Sequence, residues 1–436
     1  MIQKLQASFL ILMSMLMVFT TLIISPVKTN AESFDVSAGS AILVEVETGK
    51  VLFAKDPDMK LPPASMTKMM TEYLVSQALA EGRITNDTQV IASQYAAWMG
   101  THGGSRVYLE AGKPYTVGDL YEGVAVASGN DASVALAEHI AGSETEFVKM
   151  MNQKAQEFGM ENTHFRTSSG YPIDEIPEEF RPNIDGEHGM SAKDAAILAQ
   201  KLISDFPETL VISQQESIMF EGIEFDNWNY MVPGLIYEYE GLDGLKTGHT
   251  DKAGYCFTGT AERNGTRLIS VVMRTESEQA RFLETKKLLD YGFSQFSKQE
   301  LYPEGYQIEG ESILPVVKGK EEQVEISTNQ PISTVVKNGE AESYSVTYNF
   351  DPDLLNEDGA LTAPIEKGAK VGTMEVTYNG DIDYGNINNT SSVKPVDIVT
   401  TSGIEKANWF VLTIGSIGDF FSNIFKSITD TITGWF

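Results

Sequence analysis

The order of the hydrophobic patterns is the feature of this sequence that most limits its fold. Alternating, β-branched runs typical of strands occur at both ends of one long region, at 41–46, 50–54, 255–261 and 266–274. Patterns with the 3.6-residue period of helices lie between these runs and once after them, at 65–80, 117–127, 132–141, 144–158, 193–202 and 278–291. Strands that enclose a block of helices predict an α/β sandwich, in which one antiparallel sheet is flanked by helices.

The character of the sequence changes after residue 297. Short β-branched runs, separated by Gly, Pro and Asn-Gly turns, follow at 322–328, 332–337, 344–350, 370–378 and 393–400. No long helical period occurs among them, so we predict a small all-β domain. The chain then divides into a signal peptide at 1–31, a first domain at 32–297, the all-β domain at 298–401 and a terminal helix at 402–436.

Both ends of the chain indicate export and membrane association. Lys4 precedes an apolar run at 9–24 and small residues near Ala31, the order of a secretory signal peptide. A retained membrane helix is the alternative, although the run is slightly short to span a bilayer. Near the other end, 410–436 places Phe, Ile and Trp on one helical face, which indicates an interfacial amphipathic helix. The alternative there is packing against the all-β domain. We expect the protein on the outer face of the cytoplasmic membrane.

Composition excludes several classes of function. The formal net charge of −29 would repel nucleic acids, so we expect no nucleic-acid partner. Cys256 is the only cysteine, so no intrachain disulfide can form, and its alternating surroundings predict a buried strand residue. The five histidines lack metal-ligand spacing, and neither a zinc motif nor a phosphate-binding loop is present. We therefore expect no metal and no other cofactor.

A serine and a lysine at the start of the first helical pattern are candidates for catalysis. Ser65 and Lys68 are three positions apart, so on a helix their side chains share one face. A neutral amine there can take the hydroxyl proton, which makes the serine a nucleophile with an adjacent base. Pro62 and Pro63 precede the pair and favour a helix start, which leaves Ser65 in the first turn. Because the Ser-x-x-Lys spacing recurs elsewhere, alone it is weak evidence.

Two further motifs strengthen this interpretation. Ser128 and Asn130 lie between two helical patterns, where a loop can present a hydroxyl and a carboxamide, although both residue types are also common helix caps. Lys246-Thr247-Gly248 precedes the strand pattern at 255 and offers a cation and a hydroxyl beside a sheet edge. Three such motifs in this order are improbable by chance, so together they predict a serine acyltransferase site.

The three motifs resemble those of the penicillin-binding protein and serine β-lactamase superfamily. Longer segments, among them 63–68, 128–132, 160–165, 243–250 and 287–293, are similar to low-molecular-mass D-alanyl-D-alanine carboxypeptidases. The chain is thereby identified as a member of the DacA-type (penicillin-binding protein 5) carboxypeptidases of Gram-positive bacilli, from about residue 35 to its end. The resemblance implies a penicillin-binding, transpeptidase-like fold and removal of the terminal D-alanine from peptidoglycan stem peptides. It also implies covalent binding of β-lactam antibiotics.

The resemblance also implies a role for each matching residue. Ser65 would be the nucleophile and Lys68 its base, while Asn130 would hold Lys68 and the substrate amide. Ser128 would relay a proton to the departing D-alanine. The implied substrate-binding residues are Lys246, Thr247, Gly248, His249 and Arg281, with Thr247 and Arg281 on the terminal carboxylate. The backbone amides of Ser65 and His249 would form the oxyanion hole. The assignment of Arg281 depends on its distance after Lys246 and on its place before the helical segment at 282–289, and a surface arginine is the alternative.

Other functions remain open at this point. A serine β-lactamase would have Ser-Asp-Asn at the middle motif and a glutamate-bearing loop, which the stretch 177–183 resembles only faintly. A D,D-endopeptidase of the same superfamily would cut cross-links instead of trimming stem peptides. A catalytically inactive wall-binding module is the third alternative, and the complete motifs argue against it.

Overall fold

The structure of the chain, a computed structural model, describes residues 34–389 and 393–408. The predicted signal peptide and nearly all of the predicted terminal helix lie outside these residues. Within the described ranges, no helix combines the length and the hydropathy needed to cross a bilayer. The described residues from 37 onward belong to one compact unit.

The strands and helices of the described residues alternate along the first two thirds of the chain, and strands dominate thereafter. In chain order they are β1 (Ser40–Glu45), β2 (Val51–Lys55), α1 (Lys68–Ala80), β3 (Gln89–Ile91), α2 (Gln94–His102), β4 (Pro114–Thr116), α3 (Val117–Ala125), α4 (Asn130–Ala141), α5 (Glu144–Glu157), α6 (Ala192–Asp205), α7 (Thr209–Ser213), β5 (Ser217–Phe220), β6 (Ile223–Asp226), β7 (Leu242–Thr250), β8 (Gly254–Arg263), β9 (Thr266–Thr275), α8 (Glu278–Gln295), β10 (Phe296–Tyr302), β11 (Ile313–Val317), β12 (Gln323–Thr328), β13 (Ile332–Lys337), β14 (Tyr344–Phe350), β15 (Leu361–Thr362), β16 (Lys370–Tyr378) and β17 (Val396–Thr400).

The first domain is built on a five-stranded antiparallel sheet with the order β2-β1-β9-β8-β7. The first and last parts of the sequence thus meet in one sheet, and β7 lies at its edge. Helices α1 and α6 contribute buried residues to the same hydrophobic core as the sheet, including Met69 and Leu198 opposite Val271. The predicted α/β sandwich with a flanked antiparallel sheet is confirmed. Cys256 lies on β8 with its side chain buried, as its sequence pattern predicts.

The sequence patterns missed the short elements between the long helices. Helix α2, helix α7, the antiparallel pair of β3 and β4, and the hairpin of β5 and β6 had no prediction. Helix α2 turns only a narrow face to the core, with Tyr95, Ala96 and Met99 among its buried residues, so its hydrophobic period is weak. Its start is fixed by Ser93, whose hydroxyl accepts a hydrogen bond from the N–H of Ala96 at 3.0 Å. These elements therefore depend on local capping and tertiary packing more than on periodicity.

The second domain is all β, as predicted. Its larger sheet has the order β14-β16-β17-β12-β11-β15, and β10 pairs with β13 in a separate ladder. Four of the five predicted runs match strands closely, whereas β17 begins at Val396, three residues later than expected. The short strands β10, β11 and β15 were not predicted. The pair of β11 and β15 is parallel, in contrast to the other pairs of this sheet.

A buried lysine joins the two domains. Lys50, next to β2, reaches into the all-β domain, where its Nζ donates to the carbonyl of Val335 at 2.9 Å and to the hydroxyl of Tyr344 at 2.6 Å. The rings of Tyr344 and Tyr378 lie 5.2 and 5.4 Å from the same ammonium. Asn386 donates back to the carbonyl of Thr48 at 2.6 Å. Because these contacts are buried and polar, they favour one fixed orientation of the all-β domain.

Candidate active site

Ser65 lies in a short 3-10 turn, Ala64–Thr67, that leads directly into α1. Its neighbours Ala64, Met66 and Thr67 are buried, whereas Ser65 is half-exposed and lines a cleft. The sequence predicted Ser65 in the first turn of a helix, and the structure places it there, with the turn in 3-10 form.

Lys68 begins α1 and is fully buried. Its Nζ lies 2.9 Å from Ser65 Oγ, 2.6 Å from Asn130 Oδ1 and 2.9 Å from the carbonyl oxygen of Ser169. A neutral amine has two protons and one lone pair, and the two carbonyl oxygens can only accept. When both protons go to these oxygens, the lone pair is left for the hydroxyl of Ser65. The contacts of Lys68 therefore suit a base that takes the proton of Ser65.

The electrostatic surroundings favour the neutral form of this amine. Burial holds the pKa of Lys68 well below its usual range, and the ammonium of Lys246 lowers it further, while Glu72 and Asp131 act in the opposite direction. Lys246 lies on β7 and is itself buried, which lowers its pKa to about 8; Glu72 raises this pKa and Arg281 lowers it. The lowered pKa of Lys68 agrees with the neutral amine that the sequence-based hypothesis requires.

The loop between α3 and α4 presents Ser128 and Asn130. Ser128 has a φ of 59°, in the left-handed region that non-glycine residues rarely adopt, and its side chain lines the same cleft as Ser65. Asn130 is the first residue of α4, and its Nδ2 donates to the carbonyl of Gly103. Because this bond fixes the amide orientation, Oδ1 is turned towards Lys68.

The edge strand β7 closes the cleft on the other side, and Gly248 allows it to approach the turn of Ser65. A Cβ at Gly248 would lie 2.5 Å from the carbonyl oxygen of Pro63 and 3.3 Å from the backbone nitrogen of Met66. No side chain fits there without movement of the backbone. The glycine of the Lys-Thr-Gly motif is thus required for the close packing of β7 against the turn of Ser65.

The cleft between these elements has a volume of about 240 Å³. Its lining combines hydroxyl, aromatic and charged side chains: Ser65, Ser105, Ser128, Trp228, Thr247, Gly248, His249, Tyr255, Glu278 and Arg281. Lys246 is buried next to this surface. The structure thus brings all nine predicted site residues to one place, and their individual roles stay predictions.

Arg281 differs from the surface arginine considered as its alternative. It lies in the first turn of α8, where its side chain is buried and forms part of the cleft wall. Its Nη2 donates to Oε1 of Glu278 at 3.1 Å, and the ring of Phe282 lies 4.7 Å below the guanidinium. The position suits an anion-binding group, although Glu278 already partly neutralises it.

Three features of the site escaped the sequence analysis. The carbonyl of Ser169 is one, and a backbone group far from Lys68 in sequence gives no signal. Glu72 is another: it is buried one turn beyond Lys68, and burial raises its pKa to about 7, while Lys246 and Lys68 lower it. Its spacing of four from Lys68 was the available signal. The third is His188, described next.

His188 contacts the turn of Ser65 through the side chain of Thr67. The backbone N–H of Arg166 donates to its Nδ1 at 2.9 Å, so the proton of the neutral ring is on Nε2, which donates to Thr67 Oγ1 at 2.9 Å. Burial lowers the pKa of His188 to about 3, and nearby His164 and Arg166 contribute. This histidine is therefore a neutral structural group. In the part of the chain that the structure describes, no cluster of His, Cys, Asp and Glu has metal-binding geometry.

Two family models match the chain. The model described as D-alanyl-D-alanine carboxypeptidase, peptidase family S11, matches residues 27–277, and that of the C-terminal domain of penicillin-binding protein 5 matches residues 296–406. Among curated relatives, the D-alanyl-D-alanine carboxypeptidase DacF of Bacillus subtilis is 38% identical over 79% of this chain and 82% of its own.

Solved structures give the same result. A peptidoglycan synthesis regulatory factor (PBP3) from Streptococcus pneumoniae is 34% identical with a TM-score of 0.70, covering 85% of this chain and 100% of its own. Penicillin-binding protein D2 from Listeria monocytogenes, in an ampicillin-bound form, is 33% identical with a TM-score of 0.52, covering 59% of this chain and 98% of its own.

A serine in contact with a buried lysine one turn further along the chain, set against the edge of an antiparallel sheet, is the arrangement of penicillin-binding serine hydrolases. The chain belongs to the D-alanyl-D-alanine carboxypeptidase family of serine peptidases. The fold class and the family inferred from the sequence motifs are therefore confirmed.

Proposed function

We propose that this protein removes the terminal D-alanine from peptidoglycan stem pentapeptides through an acyl-enzyme on Ser65. The observation that carries the proposal is the contact set of Lys68, in which two carbonyl acceptors leave the amine lone pair for Ser65 Oγ at 2.9 Å. The family and the cleft beside β7 support the same reaction.

Acylation begins when Lys68 takes the proton of Ser65 and the serine oxygen attacks the carbonyl of the penultimate D-alanine. The backbone amides of Ser65 and His249 donate to the oxyanion that forms, which stabilises the tetrahedral intermediate. Ser128 then relays a proton to the amine of the departing D-alanine, and Lys246 favours the anionic character of that hydroxyl during transfer.

The leaving residue is held by its carboxylate. Thr247 and Arg281 lie on the cleft wall and offer a hydroxyl and a guanidinium to it, while Gly248 lets the strand edge lie close to the turn of Ser65. Asn130 holds Lys68 and offers its amide to the substrate backbone. Water then hydrolyses the ester on Ser65. Neither a metal nor another cofactor takes part in these steps.

β-Lactams would acylate the same serine, because they carry a strained amide carbonyl and a carboxylate in an arrangement similar to that of the peptide substrate. The Listeria relative has been solved in an ampicillin-bound form. A class A β-lactamase needs, in addition, a glutamate on a loop beside the site that activates the deacylating water. Glu178 and Glu179 are exposed, and neither belongs to the described lining of the cleft. Persistent acylation is therefore favoured over rapid drug turnover.

Mass spectrometry of the purified protein with a diaminopimelate pentapeptide tests the proposal. We expect loss of one D-alanine, and no loss with Ser65→Ala. Rapid hydrolysis of penicillin without peptide cleavage would indicate a β-lactamase instead. Cleavage of cross-linked peptide dimers in preference to the pentapeptide would indicate a D,D-endopeptidase.

The location is part of the same proposal. The predicted signal peptide at 1–31 and the amphipathic pattern at 410–436 support export and peripheral attachment to the outer face of the cytoplasmic membrane, with the all-β domain as a spacer towards the wall. We expect the mature full-length protein to pellet with membranes. A truncation after Asn408, which keeps the buried Ile404 in the core of the all-β domain, should be soluble and fully active. A soluble full-length protein, or an inactive truncation, would contradict the anchoring.

A further inference from the structure

A buried carboxyl group lies beyond the candidate base on the same face of α1. Ser65, Lys68 and Glu72 follow at spacings of three and four, which brings their side chains into one row. Glu72 is 3% exposed, and its Oε1 has no hydrogen-bond partner among the described residues. Burial of such an oxygen costs free energy, whereas Met69 and Met70 fill the interior around the same helix without this cost. A buried carboxyl group with an unpaired oxygen at this position is therefore a candidate for a functional role.

The groups that face Glu72 come from several elements packed against α1. They are Lys68 on α1 itself, Lys246 on β7 and Tyr121 on α3. Asp131 on α4 acts on Lys68, and Arg281 on α8 acts on Lys246.

The acids that α5 and α6 bring near α1 are engaged elsewhere. Glu144 accepts from the backbone and hydroxyl of Ser168, and Asp205 accepts from the hydroxyl of Tyr73. Glu72 is therefore the acid that acts on both lysines.

The contacts of Lys68 favour Lys246 as the lysine that the carboxylate of Glu72 stabilises. Lys68 Nζ already has three partners, namely Ser65, Asn130 and Ser169, and Glu72 is not among them. Both lysines lower the pKa of the Glu72 carboxyl, and Lys246 contributes more than Lys68. The proposed reaction needs one neutral and one protonated lysine, and two buried ammonium groups without an anion would repel each other.

We propose that Glu72 is a positioning residue of the active site, whose buried carboxylate is the counterion that keeps Lys246 protonated while Lys68 is the neutral base. With Glu72 ionised, Lys246 protonated and Lys68 neutral, the buried group of three carries no net charge. This inference rests on the roles proposed above for the two lysines.

The charges of the three groups determine the direction in which the lysine pKa values move when Glu72 is replaced. Glu72 raises the pKa of Lys246, which is about 8, and also raises that of Lys68. Glu72→Gln removes the negative charge at nearly unchanged volume, so both pKa values fall. The alkaline limb of the kcat/KM profile, where Lys246 loses its proton, then moves to lower pH, and the acidic limb moves in the same direction. A buried charge partner typically shifts a pKa by about one to three units, so we expect a shift of at least about one unit and roughly tenfold less activity above the wild-type alkaline limb.

The test measures the pH dependence of D-alanine release and, in parallel, of acylation by a fluorescent penicillin for wild type and Glu72→Gln. Acylation needs the same two lysines but no peptide substrate. If wild type releases no D-alanine, the proposed function fails, while the acylation profile still tests Glu72. Glu122→Gln on α3 is the matched control, because it removes a half-buried carboxyl that lines a different cleft. Its profile should coincide with that of wild type.

A purely structural role for Glu72 would change the melting temperature and leave both limbs in place, and that result would overturn the proposal. If Glu72→Gln does not fold, the same pH profiles are measured on Glu72→Asp. It keeps the charge but moves it away from Lys246, so its alkaline limb should move in the same direction by a smaller amount. An unchanged limb in folded Glu72→Asp, together with an unfolded Glu72→Gln, would also contradict the counterion role.

Discussion

Replacing Gly248 by alanine tests the close contact between β7 and the turn that carries Ser65. The added Cβ would lie 2.5 Å from the carbonyl oxygen of Pro63, whereas ordinary contacts begin near 3.4 Å. The strand and the turn must therefore separate by about 0.9 Å. Overpacking of this kind costs about 1–3 kcal/mol of stability, or roughly 2–12 °C in Tm for a domain of this size.

The catalytic effect of Gly248→Ala should exceed its effect on stability. His249 and Thr247 move with the strand, and a displacement of about 1 Å at reacting groups costs on the order of 100-fold in rate. The assay is the second-order rate of acylation by a fluorescent penicillin, with Tm from calorimetry. Gly118→Ala is the matched control, because its Cβ meets only ordinary contacts from 3.4 Å in the first turn of α3. A Gly248→Ala protein with wild-type acylation and Tm would refute the reasoning.

Three further changes test other contacts. Lys246→Ala removes a like charge near Lys68, so the pKa of Lys68 rises and the acidic limb of the acylation profile moves to higher pH; an unmoved limb in the folded variant would show that the lysines are not coupled. Asn130→Ala removes the acceptor 2.6 Å from Lys68 Nζ and should slow acylation about 10- to 150-fold, from a bond of about 1.5–3 kcal/mol; an unchanged rate would contradict its role. Lys50→Met leaves the hydroxyl of Tyr344 and a buried carbonyl without their donor, so we expect a Tm lower by several degrees with acylation retained; an unchanged Tm would show that this contact does not hold the domains together.

The sequence predicted the long elements and the residues of the cleft because both carry strong local signals. Helices such as α5 and α6 have broad apolar faces, and the three motifs combine residue types with fixed spacings. The short helix α2 and the three-residue strands β3 and β4 had no such period, because they are held by caps and neighbouring loops.

The parts of the site that escaped prediction depend on long-range contacts. Ser169 and His188 reach Lys68 and the turn of Ser65 through the folding of a loop more than a hundred residues further along the chain, which no spacing rule describes. Glu72 did have a helical spacing, but its importance appears only when Lys246 arrives on β7. Burial and the identity of the partners are properties of the fold. From the sequence alone, a buried Glu72 could therefore not be distinguished from a solvent-exposed glutamate on the same helix.

The central claim is that Ser65 forms the acyl-enzyme with Lys68 as its base, and peptide mapping of the trapped adduct tests it most directly. Wild type is acylated by penicillin at neutral pH, digested, and analysed by tandem mass spectrometry. The account predicts one adduct per chain on Ser65, no adduct in Ser65→Ala, and a strongly reduced rate in Lys68→Met, which keeps the buried stem without the amine. A stoichiometric adduct on any other residue, or wild-type acylation of Lys68→Met, would contradict it.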